Sequence, residues 1–210
     1  MTAEAVMKLS PIVPVIALEN EEDALPLAKA LLEGGINIME ITLRTQAGLK
    51  AIEIISKALP QMHVGAGTVL NRSDFKNAVA HGAAFVFSPG ISEALMQTSK
   101  ELNIALIPGV ATASEVMLAK NNGFEHCKLF PATLAGGIEI LKAFFGPFPS
   151  MRFCPTGGIN LDNINGFLSL ENVLCAGGSW IVPKHAMKEK NFKEITKLCT
   201  EATQVIKGKK

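Results

Sequence analysis

The sequence predicts a (β/α)8 barrel, built by residues 1–210 as a single domain. Stretches with helical spacing of apolar residues separate eight short apolar runs. Strands that alternate with helices imply parallel strands joined by helical crossovers, and 210 residues fit eight such units. The main alternative, a doubly wound open sheet, is disfavoured because no GxGxxG follows the first run. The predicted strands begin near Ile12, Ile38, His63, Phe85, Ala105, His126, Arg152 and Val173.

Capping residues and glycines set the predicted limits of several helices. Apolar residues recur at helical spacing over 24–32 and 49–59, and a Gly-Gly pair and a proline follow these two stretches. Short polar residues predict the N-caps of three later helices, at Asn71, Ser92 and Thr112. Glycines predict the C-terminal stops of three helices, at Gly82, Gly123 and Gly166.

Composition and charge exclude several classes of protein. Hydrophobic residues make up 48% and charged residues 19%, which excludes an intrinsically disordered chain. A net charge of +1 argues against a nucleic-acid partner, and the apolar run at 12–18 is too short to cross a membrane. Four cysteines without a CxxC pair indicate a reduced, cytoplasmic setting. The four histidines lack metal-ligand spacing, so we expect no metal and no other cofactor.

The second predicted strand carries an acidic residue and a basic residue on one face. In a (β/α)8 barrel, functional residues gather at the carboxyl ends of the strands. Period-2 alternation places Glu40, Thr42 and Arg44 on the same face. A carboxylate inside a small barrel needs a partner. Glu40 is therefore either a catalytic group or one half of a structural Glu40–Arg44 pair.

The sixth predicted strand carries a lysine. Alternation places Lys128 on one face with His126 and Phe130. Lysine is rarely found in a strand core. If Lys128 points inward, its amine is a candidate nucleophile for Schiff-base chemistry. The alternative is a lysine at the strand edge in solvent, and the strand alone does not decide between the two.

Three glycine-rich strand ends are candidate anion sites. The third strand ends in GAGT, where backbone amides and the Thr68 hydroxyl can approach an anion, although an ordinary turn also uses glycines. The seventh and eighth strands end in Gly157-Gly158 and Gly177-Gly178-Ser179. Paired loops after the last two strands commonly bind phosphate in this fold. The sequence therefore predicts a phosphate site at these two loops.

Four segments together resemble the KDPG/KHG aldolase family of class I aldolases. They are EITLRT at 40–45, GAGTVL at 65–70, KLFPA at 128–132 and PTGGI at 155–159, and the resemblance runs nearly end to end. It implies a homotrimeric barrel that cleaves 2-dehydro-3-deoxy-6-phosphogluconate (KDPG) to pyruvate and glyceraldehyde 3-phosphate, an Entner–Doudoroff step. Many members also cleave 4-hydroxy-2-oxoglutarate (KHG) to pyruvate and glyoxylate.

The resemblance also implies a role for each matching residue. Lys128 forms the Schiff base and Glu40 is the general acid/base. The substrate carboxylate is bound by Arg44 and Thr68, and the pocket is lined by Pro89, Phe130 and Thr156. The phosphate is bound by Gly157, Gly158, Gly178 and Ser179.

One residue departs from the family pattern, and other functions stay open. Thr133 stands where the family commonly has glutamate, at the expected rim of the site. The galactonate-type aldolase is the second choice, because Thr156 is typical of the gluconate type. An imine-free phosphosugar enzyme and a non-catalytic phosphosugar-binding barrel are further alternatives. Neither explains why the chain carries both Glu40 and Lys128.

Overall fold

The computed structural model describes residues 1–207, which form nine strands and ten α-helices. The strands are β1 (Ile12–Ile16), β2 (Ile38–Thr42), β3 (His63–Gly67), β4 (Phe85–Phe87), β5 (Ala105–Ile107), β6 (Gly109–Val110), β7 (His126–Leu129), β8 (Arg152–Pro155) and β9 (Ala176–Gly178). The helices are α1 (Ala3–Met7), α2 (Ala24–Glu33), α3 (Ala47–Ala58), α4 (Arg72–Ala80), α5 (Glu93–Leu102), α6 (Ala113–Asn121), α7 (Gly137–Phe145), α8 (Ile164–Leu168), α9 (Lys184–Lys188) and α10 (Phe192–Lys207).

The strands close into a parallel barrel. One row runs β5-β4-β3-β2-β1-β9 and a second runs β6-β7-β8. Pro108, which has no N–H to donate, separates β5 from β6, so these two strands are parts of the fifth barrel strand. Parallel bridges from Phe153 to Val173 and from Thr156 to Gly177 join β8 to β9. The predicted (β/α)8 fold is therefore confirmed.

Seven of the eight barrel strands begin at the predicted residue, and the last begins later. β9 begins at Ala176, and Val173 makes only an isolated bridge. The buried Asn172 explains the delay. Its carbonyl accepts a hydrogen bond from the Phe153 N–H at 2.7 Å, and its side-chain amide donates to the Leu141 carbonyl at 2.8 Å. These bonds hold the chain in a turn before the strand begins.

The predicted helix limits are mostly confirmed. Asn71 accepts a hydrogen bond from the Asp74 N–H at 2.9 Å, and Thr112 forms a capping box with Glu115. Ser92 occupies the N-cap of α5, but its side chain makes no capping bond. Gly82 and Gly123 follow α4 and α6 with φ of +97° and +83°.

The predicted stop at Gly166 is wrong, because this residue lies inside α8. A β-carbon at Gly166 would lie 2.9 Å from Ile138 Cδ1 of α7. The glycine therefore allows α7 and α8 to pack closely and does not end the helix. The C-cap of α8 is Ser169.

The core lies inside the barrel and between the sheet and its helices. Its largest buried side chains include Phe75, Phe85, Phe87 and Phe153. Few buried side chains are polar, and five of them belong to barrel strands or strand ends: Glu40, Thr42, Ser88, Lys128 and Thr156. Burying such groups is costly without partners, so their partners indicate where the chemistry takes place.

Candidate active site

Lys128 and Glu40 form an ion pair inside the barrel. Lys128 Nζ lies 3.1 Å from Glu40 Oε1 and 3.3 Å from Oε2. The two residues are only 5% and 1% exposed. Lys128 therefore does not sit in solvent at a strand edge, and the partner of Glu40 is Lys128, so the alternative of a Glu40–Arg44 pair is wrong. Buried ion pairs contribute little net stability, which favours a functional reason for this one.

The pair spans the barrel from one side to the other. β2 is the second barrel strand and β7 the sixth, so they face each other across the interior. In such barrels, alternate strands contribute side chains to the same interior layer. Phe87, from the fourth strand, belongs near the same layer, with its ring centroid 5.3 Å from Lys128 Nζ. Sequence reasoning missed Phe87, although its alternation in β4 was a usable signal.

Phe130 also packs beside the amine, at 5.4 Å from Lys128 Nζ to the ring centroid. The two rings present their faces to a cation, which stabilises positive charge on the nitrogen. The same geometry suits an ammonium and a protonated imine. Phe130, predicted to lie in the pocket, is therefore in contact with the Lys128 amine.

Gly67 provides the space that Glu40 occupies. A β-carbon at Gly67 would overlap the Glu40 carboxylate. A β-carbon at Gly65, two residues earlier in β3, would overlap the Phe85 ring. These strand glycines therefore allow close side-chain packing. The sequence pattern indicated an anion site or an ordinary turn for them and did not predict this role.

Thr68 and Arg44 lie at the carboxyl ends of adjacent strands. Thr68 has φ of +57°, a left-handed conformation that costs a threonine roughly 1–3 kcal/mol and is typical of functional sites. Arg44 is exposed, and its Nε donates to Thr42 Oγ1 at 3.2 Å. The Thr42 hydroxyl donates in turn to the Ile16 carbonyl at 2.9 Å. This chain of hydrogen bonds anchors Arg44 at the mouth of the barrel.

Pro89 and Thr156 lie at two other strand ends. Pro89 is half-buried after β4, and its carbonyl lies against Gly109 of β6. Thr156 is buried after β8 and packs against Gly177. Its hydroxyl lies 3.4 Å from the Cys154 carbonyl, so this intramolecular bond is long.

Hydrogen bonds to its carbonyl groups fix the conformation of the Gly157-Gly158 turn. Both glycines have positive φ, +102° and +78°. The Gly157 carbonyl accepts hydrogen bonds from the Thr133 N–H at 3.1 Å and the Thr133 hydroxyl at 3.3 Å. The Gly158 carbonyl accepts one from Asn163 Nδ2 at 2.9 Å. Because the two carbonyl oxygens accept hydrogen bonds within the protein, the backbone N–H groups of the turn can point toward a ligand.

Thr133, the departure from the family pattern, lies directly beside this turn. A β-carbon at Gly158 would overlap the Thr133 side chain. A neutral side chain therefore borders the loop where the family commonly has an acidic one. Thr133 therefore lies against Gly158, one of the residues predicted to bind phosphate.

Gly178 and Ser179 end the last barrel strand. The Trp180 ring covers Gly178 and leaves no room for a β-carbon there. Ser179 is exposed and lines a cleft of about 820 Å³ at the barrel mouth together with Arg44. The buried Lys128–Glu40 pair is not among the residues that line this cleft. The structure thus brings Arg44 and Ser179 to one opening and Lys128 and Glu40 to the interior.

Two buried cysteines lie near the ion pair. Cys154 is the register partner of Lys128 on β8, and Cys175 precedes β9. A side-chain hydrogen bond with Cys154, burial and the charge of Glu40 all raise the pKa of the Cys175 thiol. Cys175 is therefore a neutral thiol at pH 7. Within residues 1–207, no cluster of three His, Cys, Asp or Glu side chains forms a candidate metal site.

The family model for KDPG and KHG aldolase matches residues 3–198. The KHG/KDPG aldolase of Escherichia coli is 45% identical over 203 residues, which are 97% of this chain and 95% of the relative. The chain belongs to the KDPG and KHG aldolase family. It is therefore an aldolase, and the recognition from the four sequence segments is confirmed.

Solved structures of KDPG aldolases match the fold closely. One from Legionella pneumophila, with pyruvate captured as a covalent carbinolamine intermediate, superposes with a TM-score of 0.95 at 48% identity, covering 97% of this chain and 98% of that one. One from Zymomonas mobilis, solved with 3-phosphoglycerate, superposes with a TM-score of 0.91 at 42% identity, covering 96% and 94%.

Proposed function

We propose that the protein cleaves KDPG to pyruvate and glyceraldehyde 3-phosphate through a Schiff base on Lys128, and that it also cleaves KHG to pyruvate and glyoxylate. The observation that carries this proposal is the buried Lys128 amine held at 3.1 Å by Glu40. A nucleophile within hydrogen-bond reach of a general base is the arrangement that covalent catalysis requires. The carbinolamine in the Legionella pneumophila relative supports the same chemistry here.

The first half of the reaction forms the covalent intermediate. The free amine of Lys128 adds to the ketone carbon and gives a carbinolamine, which loses water to become a protonated imine. The rings of Phe87 and Phe130, 5.3 Å and 5.4 Å from the nitrogen, stabilise its positive charge. Glu40 accepts and returns the protons that these steps move, over a distance suited to proton transfer.

The second half breaks the carbon–carbon bond. Glu40 takes the proton from the hydroxyl on carbon 4, and the bond between carbons 3 and 4 breaks to release the aldehyde. The electron pair of that bond moves into the imine, which becomes an enamine. Glu40 then returns a proton to carbon 3, and water hydrolyses the imine. Pyruvate leaves, and the Lys128 amine is restored.

The other predicted residues bind the two ends of the substrate. We assign the carboxylate to Arg44 and Thr68, whose strand ends lie side by side, because a guanidinium binds a carboxylate bidentately. We assign the phosphate to the loops of the last two barrel strands, where the amides of Gly157, Gly158 and Gly178 and the Ser179 hydroxyl are the donors. Thr156 is assigned to the substrate hydroxyls, and Pro89 to the pocket wall.

Oligomeric state, pathway and location are proposed from the family resemblance. We propose a homotrimer that works in the Entner–Doudoroff pathway in the cytoplasm. Leu134 is 87% exposed, an apolar surface that an interface can cover. All four cysteines are free, as in a reduced compartment. Within residues 1–207, no helix is long and apolar enough to cross a membrane.

Sedimentation equilibrium tests the proposed trimer. The measured mass should be that of three chains, and the mass of a single chain would contradict the trimer.

Replacing Lys128 tests the proposed reaction. Release of pyruvate from KDPG by the wild type is expected to fall at least about a thousandfold in Lys128→Met, because the nucleophile is gone. The exposed Lys142 on α7 gives a matched control, and Lys142→Met should keep full activity. Circular dichroism would verify that both variants are folded. Comparable turnover in a folded Lys128→Met protein would overturn the mechanism, and a wild type without turnover would overturn the proposed reaction.

A further inference from the structure

The cleft at the barrel mouth carries an excess of positive charge. Its lining contains four cationic side chains, Arg44, Lys184, Lys188 and Lys190, against two acidic ones, Glu19 and Asp23. The whole chain has a net charge of only +1. The excess is therefore local to the cleft that Ser179 also lines.

Two of the four cations already have partners. Lys190 Nζ lies 3.3 Å from Glu22 Oε1 and 3.7 Å from Asp23 Oδ1. Arg44 is anchored by its bond to Thr42 and is assigned to the substrate carboxylate. Lys190 is thus already paired with acidic side chains. Arg44 is assigned to the substrate carboxylate and is not counted as a further anion-binding group.

Lys184 and Lys188 remain without an acidic partner. Both are exposed, and neither forms an ion pair with any residue of the described chain, 1–207. They are the first and last residues of α9, four positions apart, so they lie on the same face of that helix. Their two ammonium groups are free to bind an anion in the cleft.

The segment between Ser179 and these lysines is fixed against the core. The Val182 N–H donates to the Ser179 carbonyl at 3.1 Å. Ile181 and Ala186 are fully buried and Val182 is 8% exposed. The backbone that carries Lys184 is therefore held in place relative to Ser179, which suits a binding surface.

We propose that Lys184 and Lys188 are specificity-determining residues that bind the phosphate of the substrate from the α9 side of the cleft, beyond Ser179. The inference rests on the proposed function. A phosphate dianion gains charge-assisted hydrogen bonds from ammonium groups. An unpartnered positive cleft also concentrates an anionic substrate at the site.

Two substrates that differ only in the phosphate test this proposal. They are KDPG and 2-dehydro-3-deoxygluconate, compared in the wild type, Lys184→Gln, Lys188→Gln and the double variant. In the double variant, kcat/KM for KDPG should fall about 10- to 100-fold, the loss of charged hydrogen bonds. The value for the unphosphorylated substrate should stay within about twofold, as expected for exposed charges without a bound partner.

Lys190→Gln is the matched control, since this lysine lines the same cleft but is already paired. It should change the ratio of the two kcat/KM values by less than about threefold. The inhibition constant of inorganic phosphate against KDPG cleavage gives a second readout. It should rise most in the double variant and should not change in Lys190→Gln.

An unchanged ratio and an unchanged phosphate inhibition constant in the double variant would overturn the proposal while leaving the aldolase reaction intact. An equal fall in kcat/KM for both substrates would also overturn it. The substitutions would then affect the active site in general and not the binding of the phosphate. A wild type that cleaves neither substrate would overturn the proposed function, and this inference with it.

Discussion

At the scale of single residues, the position of the Glu40 carboxylate depends on a missing side chain. Gly67 lies against Glu40 across the β2–β3 pair, and any β-carbon there would overlap the carboxylate. Glu40, the proposed general acid/base, is therefore held between Lys128 and the bare backbone of β3. Gly67 is thus linked to the proposed catalysis through the position of the Glu40 carboxylate.

Gly67→Ala should displace Glu40 and slow catalysis. Overpacking at a buried site costs about 1–3 kcal/mol. A displaced general base loses about 100-fold in kcat. Gly90→Ala is the control, since a β-carbon at Gly90 meets no atom within 4 Å. The measurement is kcat for KDPG cleavage together with the melting temperature. Wild-type kcat in Gly67→Ala would show that Glu40 does not need this space.

Period-2 alternation placed Glu40 and Lys128 each on one face of its strand, but it left open whether Lys128 points inward or into solvent. Their pairing was not predictable, because 88 residues separate them and only barrel closure brings them together. The contact of Thr133 with Gly158 and the contact of Phe87 with Lys128 likewise join residues that are far apart in sequence. Sequence patterns report which face a residue occupies, and contacts between faces depend on the complete fold.

At the scale of elements, side-chain capping distinguishes helices that looked alike in sequence. Thr112 and Ser92 both stand at an N-cap, but only Thr112 forms capping bonds. Glu115 Oε2 accepts hydrogen bonds from the N–H groups of Ala111 at 2.8 Å and Thr112 at 2.9 Å. Burial raises the pKa of Glu115, but these bonds and one from the Thr112 hydroxyl outweigh it, so the pKa is lowered overall.

Thr112→Ala should therefore lower the free energy of unfolding by about 1 kcal/mol. Ser92→Ala should lower it by much less, since no capping bond is lost. Urea denaturation at neutral pH would compare the two. Because the pKa of Glu115 is lowered in the folded state, its stabilising effect is present above its usual pKa and is lost as the pH falls through the folded value. An equal fall in the free energy of unfolding in Thr112→Ala and Ser92→Ala would show that the capping bonds of Thr112 do not stabilise α6.

Helical spacing, caps and apolar runs were sufficient to predict most elements. The exceptions are caused by contacts with other elements, which the sequence pattern does not reveal. Asn172 delays β9 by bonding to α7 and β8, and Gly166 lies inside α8 because Ile138 packs against it. In both cases tertiary packing determines what one residue does.

At the scale of the whole molecule, barrel closure creates the site. The second and sixth barrel strands lie opposite each other, so inward side chains from β2 and β7 meet in the interior. The Thr156–Gly177 bridge joins the ends of β8 and β9, and Ser179 after β9 lines the same cleft as Arg44 after β2. The alternation of strands and helices was sufficient to predict the barrel, and the carboxyl-end rule then placed the candidate residues on one face.

The central claim is that the amine of Lys128 forms an imine with the substrate ketone. The most direct measurement is to incubate the protein with pyruvate and borohydride and to map the reduced adduct by peptide mass spectrometry. We expect a single adduct, on Lys128, and no adduct at this position in Lys128→Met. A folded protein that cleaves KDPG but gives no adduct, or an adduct on another lysine, would contradict it.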